Sequence, residues 1–215
     1  MLTHQDRTVP DCLAVLEEVA PLGLRHIGVK DIGVDEDTLY RLHKRIKELG
    51  AVSYLEVVAT SPEAALHSAQ IGKAVGVDRL LGGTQVTETL EILADSKVEY
   101  YPFPGTPVGH PTRLRGGAAQ VETHCATFAA LGCAGADLLA YRAIEAEPLA
   151  LVRAARNGLK AKTLICAGGV DSPARIAALR RAGTDGFTVG SAAFNGVFAP
   201  GEPLTAQLKA ILACA

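Results

Sequence analysis

No apolar run in the 215 residues approaches the ~20 that a membrane-spanning helix needs, so no membrane partner is expected. Neither sign of charge dominates. The 21 Lys and Arg against 23 Asp and Glu leave a formal net charge of −2, which gives no argument for nucleic acid as a partner. Residues 1–11, MLTHQDRTVPD, lack an apolar h-region and do not resemble a secretion signal. The five cysteines (Cys12, Cys125, Cys133, Cys166, Cys214) are scattered and form no CxxC, which argues against a disulfide framework or a structural zinc site. Reduced thiols in a cytoplasmic protein are the expectation. There is no HxH, HxD or HExxH at a predicted strand end and no nucleotide-binding fingerprint, so neither a metal nor a cofactor is expected. Ser191 lacks a G-x-S-x-G context, which excludes a nucleophile elbow. No linker, low-complexity tract or composition shift divides the chain, so one domain over 1–215 is expected. Homo-oligomers are compatible with the sequence but not specified by it.

What is present is a repeated β-then-α pattern. Residues 161–192, AKTLICAGGVDSPARIAALRRAGTDGFTVGSA, show it most clearly: a strand (163–167) ends in Gly168-Gly169, a helix opens at Ser172-Pro173 and stops at Gly183, and a strand (186–189) ends in Gly190-Ser191. Earlier strands are expected at 25–32, 53–59, 78–83, 99–105 and 135–144, each with a helical pattern after it. Residues 106–117 read as the longest loop. Leu2-Thr3-His4 reads as the end of a first strand. Eight units in 215 residues is about 27 per unit, which suits a (β/α)8 TIM barrel of roughly 200–250 residues. An open doubly wound sheet is the competing arrangement. The first strand is unusually short, as though the translation start lay upstream of Met1 or the strand were frayed.

In such a barrel the chemistry sits at the C-terminal strand ends. Alternation sends Ile27, Val29, Leu55 and Val57 towards the helices and His26, Lys30, Tyr54 and Glu56 into the barrel. Lys30 and Glu56 then face each other on adjacent strands. They form either a structural salt bridge, an acid/base pair or a lysine tuned for imine chemistry. Asp6 follows the first strand and is either a polar loop residue or a second acid/base. Asp31 points away from Lys30 and is expected to cap or support. Arg142, beside Tyr141 at the end of the sixth strand, can clamp a carboxylate or phosphate or make an ion pair at the rim. His110, Arg113 and Arg115 lie on the long loop, where a lid or plain solvation both fit. His26 reads as a satisfied interior residue.

At CAGGVDSPARIAALRRAGTDGFTVGSA the chain resembles the phosphate-binding half of the ribulose-phosphate-binding barrel superfamily. That group includes phosphosugar isomerases, epimerases, decarboxylases and aldolases, and the isomerases of histidine and tryptophan synthesis. The resemblance implies a substrate phosphate held by backbone amides at Gly168 and Gly169, and at Gly190 and Ser191. The catalytic strand ends match no member: the D-x-K-x-x-D of the decarboxylases is absent, and Arg142 stands where the aldolases place a Schiff-base lysine. The chain reads as a separate branch whose reaction is not borrowed from the resemblance; the expectation from its own residues is an isomerase or epimerase on a small phosphorylated sugar or related metabolite, with Lys30, Glu56 and Asp6 as proton carriers and Arg142, His110 and Arg115 as substrate contacts. An aldolase-type lyase with a Lys30 imine and a non-catalytic phosphometabolite-binding barrel are the alternatives.

Overall fold

The computed structural model describes residues 1–215. The chain begins with a tight hairpin, β1 (Thr3–His4) and β2 (Arg7–Thr8), followed by α1 (Cys12–Val19). Next come β3 (His26–Lys30), α2 (Glu36–Glu48), β4 (Val52–Val57), α3 (Pro62–Val75), β5 (Arg79–Gly82), α4 (Val86–Leu93) and β6 (Glu99–Tyr101). A second hairpin, β7 (Thr106–Val108) and β8 (Arg113–Arg115), leads to α5 (Ala118–Ala130), β9 (Gly135–Leu138) and α6 (Pro148–Leu159). The chain ends with β10 (Thr163–Cys166), α7 (Pro173–Ala182), β11 (Gly186–Phe187), a single turn α8 (Ser191–Phe194) and α9 (Leu204–Cys214).

The helices start where the sequence supplies acceptors for their free N–H groups. Asp35, Ser61 and Ser172 each accept a hydrogen bond from the backbone N–H three residues on, and Pro62 and Pro173 occupy the first helical positions. α3 and α7 stop at Gly76 and Gly183, which adopt the left-handed conformation that glycine tolerates.

Parallel strands β3-β4-β5-β6 form one sheet and β9-β10-β11 another. Backbone hydrogen bonds join them into a ring. On one side Ala134 N–H donates to Tyr100 O (3.0 Å) and Asp137 N–H to Pro102 O (3.1 Å). On the other, the first strand bridges the gap: the Met1 amino group donates to Val189 O (2.9 Å) and Leu2 N–H to Gly28 O (2.8 Å). The fold is therefore a (β/α)8 barrel with a very short first strand, which is paired on both sides and is not frayed.

Alternation along the strands divides the apolar residues into two cores. Ile27, Val29, Leu55, Val57, Leu80, Ala136, Leu138 and Leu164 pack outward with helix residues such as Leu39, Leu42, Ile46 and Leu151. Leu81, Tyr101 and Ile165 form a separate plug inside the barrel, with Tyr54 beside them. Below the plug, Tyr54 OH meets His26 Nδ1 (2.9 Å) and receives a bond from Arg79 Nη1 (2.8 Å). His26 is thus satisfied, but it is exposed at the start of β3 rather than deep in the barrel.

Three expectations are corrected. The stretch 106–117 is not a plain loop; it holds an antiparallel hairpin with Thr106 opposite Arg115 and Val108 opposite Arg113. The fifth strand stops at Tyr101 because Pro102 and Pro104 have no N–H to continue the ladder. The sixth strand stops at Leu138, and Ala140–Arg142 is a 3-10 turn.

The close approach of β1 to Gly190 gives a direct prediction. A Cβ on Gly190 would collide with the Thr3 side chain and stand 2.9 Å from Thr3 O. Gly190→Ala should displace the first strand and lower stability by about 1–3 kcal/mol, read as the shift in urea midpoint. An unchanged midpoint would mean that the seam between β11 and β1 is not tightly packed.

Candidate active site

Register places Lys30 opposite Glu56, both buried. Lys30 Nζ lies 3.0 Å from Glu56 Oε1 and 2.8 Å from Asp6 Oδ1. Thr8 holds the Lys30 backbone from the other edge: its Oγ1 accepts from Lys30 N–H and donates to Lys30 O, both at 2.8 Å. Burial works against the Lys30 ammonium, but the charges of Glu56 and Asp6 outweigh it and raise its pKa above the ordinary lysine value. The amine is therefore held protonated.

Asp6 sits in the two-residue turn of the first hairpin, with Gln5 at φ 48° and Asp6 at φ 62°. Positive φ at both central positions suits the twist of a two-residue hairpin, though it is strained for residues with a Cβ. Four donors converge on the Asp6 carboxylate. Oδ1 accepts from Lys30 and from Arg142 Nη2 (2.6 Å), and Oδ2 from Arg142 Nη1 (2.5 Å) and Thr112 N–H (2.7 Å). Burial opposes its ionisation, but the Arg142 hydrogen bonds and the Lys30 charge prevail and hold its pKa well below the usual carboxylate range. A carboxylate so fully engaged is a poor proton acceptor and a strong anchor. It ties the first hairpin, β3, the second hairpin and the turn after β9 to one point.

Glu56 differs. Oε1 accepts from Lys30, while no protein donor reaches Oε2, and the residue lines a cavity of about 70 Å³. By that measure a single water needs roughly 10–15 Å³, so the space suits a group of several heavy atoms. Met1, Thr3, Asp6, Lys30 and Arg142 line it together with 168–171 and 188–192. None of the backbone N–H groups of Gly168, Gly169, Val170, Gly190, Ser191 and Ala192 donates to another protein group. Gly168 and Gly169 have φ of 72° and 70°, and the Arg142 side chain passes across Gly168 where a Cβ would stand. Ser191 Oγ accepts from Gln5 N–H (2.9 Å), leaving its own hydrogen free. Arg175 braces this loop: it donates to Gly169 O (2.6 Å), pairs with Asp171 (2.7 Å) and stacks on Tyr141 at 4.6 Å. The Asp171 charge at the rim is thereby matched.

Two predicted contacts are not brought to the cavity. His110 is exposed near the tip of the second hairpin, and Arg115 is exposed and pairs with Glu145 (3.5 Å). The hairpin reaches the site through a backbone group instead, at Thr112. Asp31 supports from behind, accepting from Val58 N–H (3.0 Å) and Ser68 Oγ (2.8 Å), which fixes the exit of β4 just beyond Glu56.

Asp137 is the residue the sequence reading passes over. A strand expected to end at 144 puts the barrel mouth near Tyr141 and Arg142, whereas the real end at Leu138 puts Asp137 at that level. The signal was available: an acid in the apolar run GADLL, with Ala136 and Leu138 facing outward. Asp137 is 0% exposed, and neither carboxylate oxygen has a hydrogen-bond partner. Burial first, and then the Glu56 charge, push its pKa well above the ordinary carboxylate value.

The stability consequence has a definite sign. Below the ordinary carboxylate pKa of 3.8 both folded and unfolded chains carry the proton. As pH rises past it the unfolded chain ionises while folded Asp137 does not, so stability is lost until the folded pKa is reached. Asp137→Asn should therefore be more stable than the wild type at neutral pH, with the difference vanishing in acid, as measured by denaturation at both pH values. Equal stability of the two proteins at neutral pH would mean that Asp137 ionises normally.

No protein-family model matches the chain, and no curated protein matches it in sequence. Among solved structures, orotidine 5'-phosphate decarboxylase from Pyrococcus horikoshii OT3 superposes with a TM-score of 0.65 at 16% identity, over 94% of this chain and 92% of that one. A mutant tryptophan synthase α-subunit from Pyrococcus furiosus gives 0.61 at 15% identity, over 84% and 75%. FabK from Thermotoga maritima, in its M276A form, gives 0.54 at 14% identity over 74% of this chain, which spans half of FabK's length. These likenesses establish the barrel fold.

Proposed function

We propose that the protein is an enzyme that grips a small phosphorylated metabolite by its phosphate and moves a proton on its carbon skeleton, as a sugar-phosphate isomerase or epimerase does. One observation carries this reading. Backbone donors at Gly168, Gly169, Gly190 and Ser191 that no protein group uses line the same cavity as the buried Lys30–Glu56 pair. Convergent N–H groups suit an anion, and Arg142, whose side chain lies against Gly168, adds positive charge beside them.

The chemistry follows from the free valences. Glu56 Oε2 takes a proton from the carbon beside a carbonyl; that C–H bond breaks and its electron pair moves onto the carbonyl oxygen. The Lys30 ammonium stabilises the enolate so formed. For an isomer, a proton returns to the former carbonyl carbon while the hydroxyl proton of the adjacent carbon moves to the former carbonyl oxygen and a new carbonyl forms in its place; return of a proton to the opposite face of the original carbon gives an epimer. Asp6 anchors Lys30 and Arg142 rather than shuttling protons. An imine at Lys30 would need a neutral amine, and two carboxylates hold that amine protonated, so no observation favours the lyase reading.

The test pairs binding with exchange. Inorganic phosphate should bind the purified protein, detected by phosphorus NMR line broadening. In D2O one member of a panel of aldose and ketose phosphates should take up deuterium. Borohydride with the same panel should leave Lys30 unmodified. A Lys30 adduct would establish the lyase instead, and the absence of both phosphate binding and exchange would end the reading.

A further inference from the structure

The first hairpin holds two threonines opposite each other, and their hydroxyls are used differently. Thr8 Oγ1 makes two hydrogen bonds to the Lys30 backbone. Thr3 is 4% exposed, yet its hydroxyl bonds to no protein group. Thr3 lines the same cavity as 168–171 and 188–192. Its Oγ1 lies against the turn after β11, in the place that a Cβ on residue 190 would need, so the hydroxyl can stand there only because residue 190 is glycine. A buried hydroxyl without a protein partner weakens a fold rather than supporting it. Its neighbours show what would satisfy it. The Gly190, Ser191 and Ala192 N–H groups are not used by the protein. The Ser191 hydroxyl accepts from Gln5 N–H of the same hairpin and keeps its own hydrogen free. The acids that line the cavity at this end are matched: Asp6 by Lys30 and Arg142, and Asp171 by Arg175.

We propose that Thr3 is a further ligand of the substrate phosphate: its hydroxyl donates to a phosphate oxygen alongside the amides of 168–170 and 190–192. The inference rests on the phosphate reading above and adds a donor that the glycine turns do not contain. A phosphomonoester presents three terminal oxygens as strong acceptors. The donors come from three segments of chain, the exits of β10 and β11 and the first strand. Thr3 also connects binding to the reacting end of the site. It belongs to the hairpin whose Asp6 and Thr8 hold the Lys30 side chain and backbone. Phosphate on Thr3 therefore braces the hairpin that positions Lys30.

Titration of the intact protein with inorganic phosphate, read by phosphorus NMR, tests this. Thr3→Val keeps the shape and removes the hydroxyl. It should weaken phosphate binding roughly 10- to 100-fold, the range for one hydrogen bond to a charged group. Its urea midpoint without phosphate should match or exceed that of the wild type, because the lost hydroxyl has no protein partner. The rise in midpoint that saturating phosphate gives the wild type should shrink in the same variant. Thr3→Ser and Thr3→Ala both lose the methyl group and differ only in the hydroxyl. The serine variant should bind phosphate about tenfold or more tighter than the alanine variant, and this pair decides the matter if Thr3→Val does not fold. Equal affinity in wild type and Thr3→Val, or in the serine and alanine variants, would overturn the inference. If phosphate binds the wild type and all Thr3 variants alike, only this inference falls. If phosphate does not bind the wild type and no deuterium enters the sugar phosphates, the proposed function falls as well.

Discussion

Asp6→Asn should cost the fold about 3–5 kcal/mol, the range for removing one member of a buried ion pair. The carboxylate is 2% exposed and joins Lys30, Arg142 and Thr112 N–H. Its loss leaves the Lys30 ammonium with one counter-ion and the Arg142 guanidinium with none. The strained turn at Gln5 and Asp6 also loses the contacts that hold it. Urea denaturation at neutral pH measures the loss, and adding Arg142→Met should recover part of it by removing the stranded charge. The pH dependence has a fixed sign. The folded pKa of Asp6 is depressed, so its contribution is fully present above the ordinary carboxylate pKa of 3.8 and is lost as pH falls through the folded value. The gap between wild type and variant should therefore persist at neutral pH and close only in strong acid. A loss below about 1 kcal/mol would place this network with exposed surface pairs in energetic terms.

Lys30→Met should slow deuterium uptake into the substrate by roughly 10²–10⁴-fold, the usual range for losing a positioned acid–base or electrostatic group. Glu56→Gln should do the same. The double variant should be little worse than either single one, because the two act as a unit. Inorganic phosphate should still bind both variants, since the amides at 168–170 and 190–192 are separate donors that neither substitution removes. Full exchange in both Lys30→Met and Glu56→Gln would remove the pair from the chemistry, whereas no exchange in the wild type with phosphate still bound would favour a barrel that only binds.

Much of the architecture was legible because its signals are local. Ser61-Pro62, Asp35 and Ser172-Pro173 satisfy the orphan donors of their own helices. The alternation at 27–30 and 55–57 needs only the two-residue period of a strand to send Lys30 and Glu56 inward. Strand ends were less legible. Where β9 stops depends on what pairs with it across the barrel, and that partner is Pro102 O, 35 positions earlier in the chain. A β9 that ends at Leu138 rather than at 144 brings Asp137, not Tyr141, to the level of the barrel mouth.

The repeat, the caps, the glycine turns after β10 and β11 and the inward direction of Lys30 and Glu56 are written in the order of the residues alone. Each of these follows from backbone sterics and periodicity within a short stretch of chain. How the charges are shared depends on the closed barrel. Asp6, Lys30, Glu56, Asp137 and Arg142 lie up to 136 positions apart, and nothing local tells one acid from another. Four donors make Asp6 a fixed anion, one donor leaves Glu56 an open valence, and burial without any donor raises the pKa of Asp137. Protonation depends on the surroundings of a side chain, and those surroundings exist only once the barrel is closed.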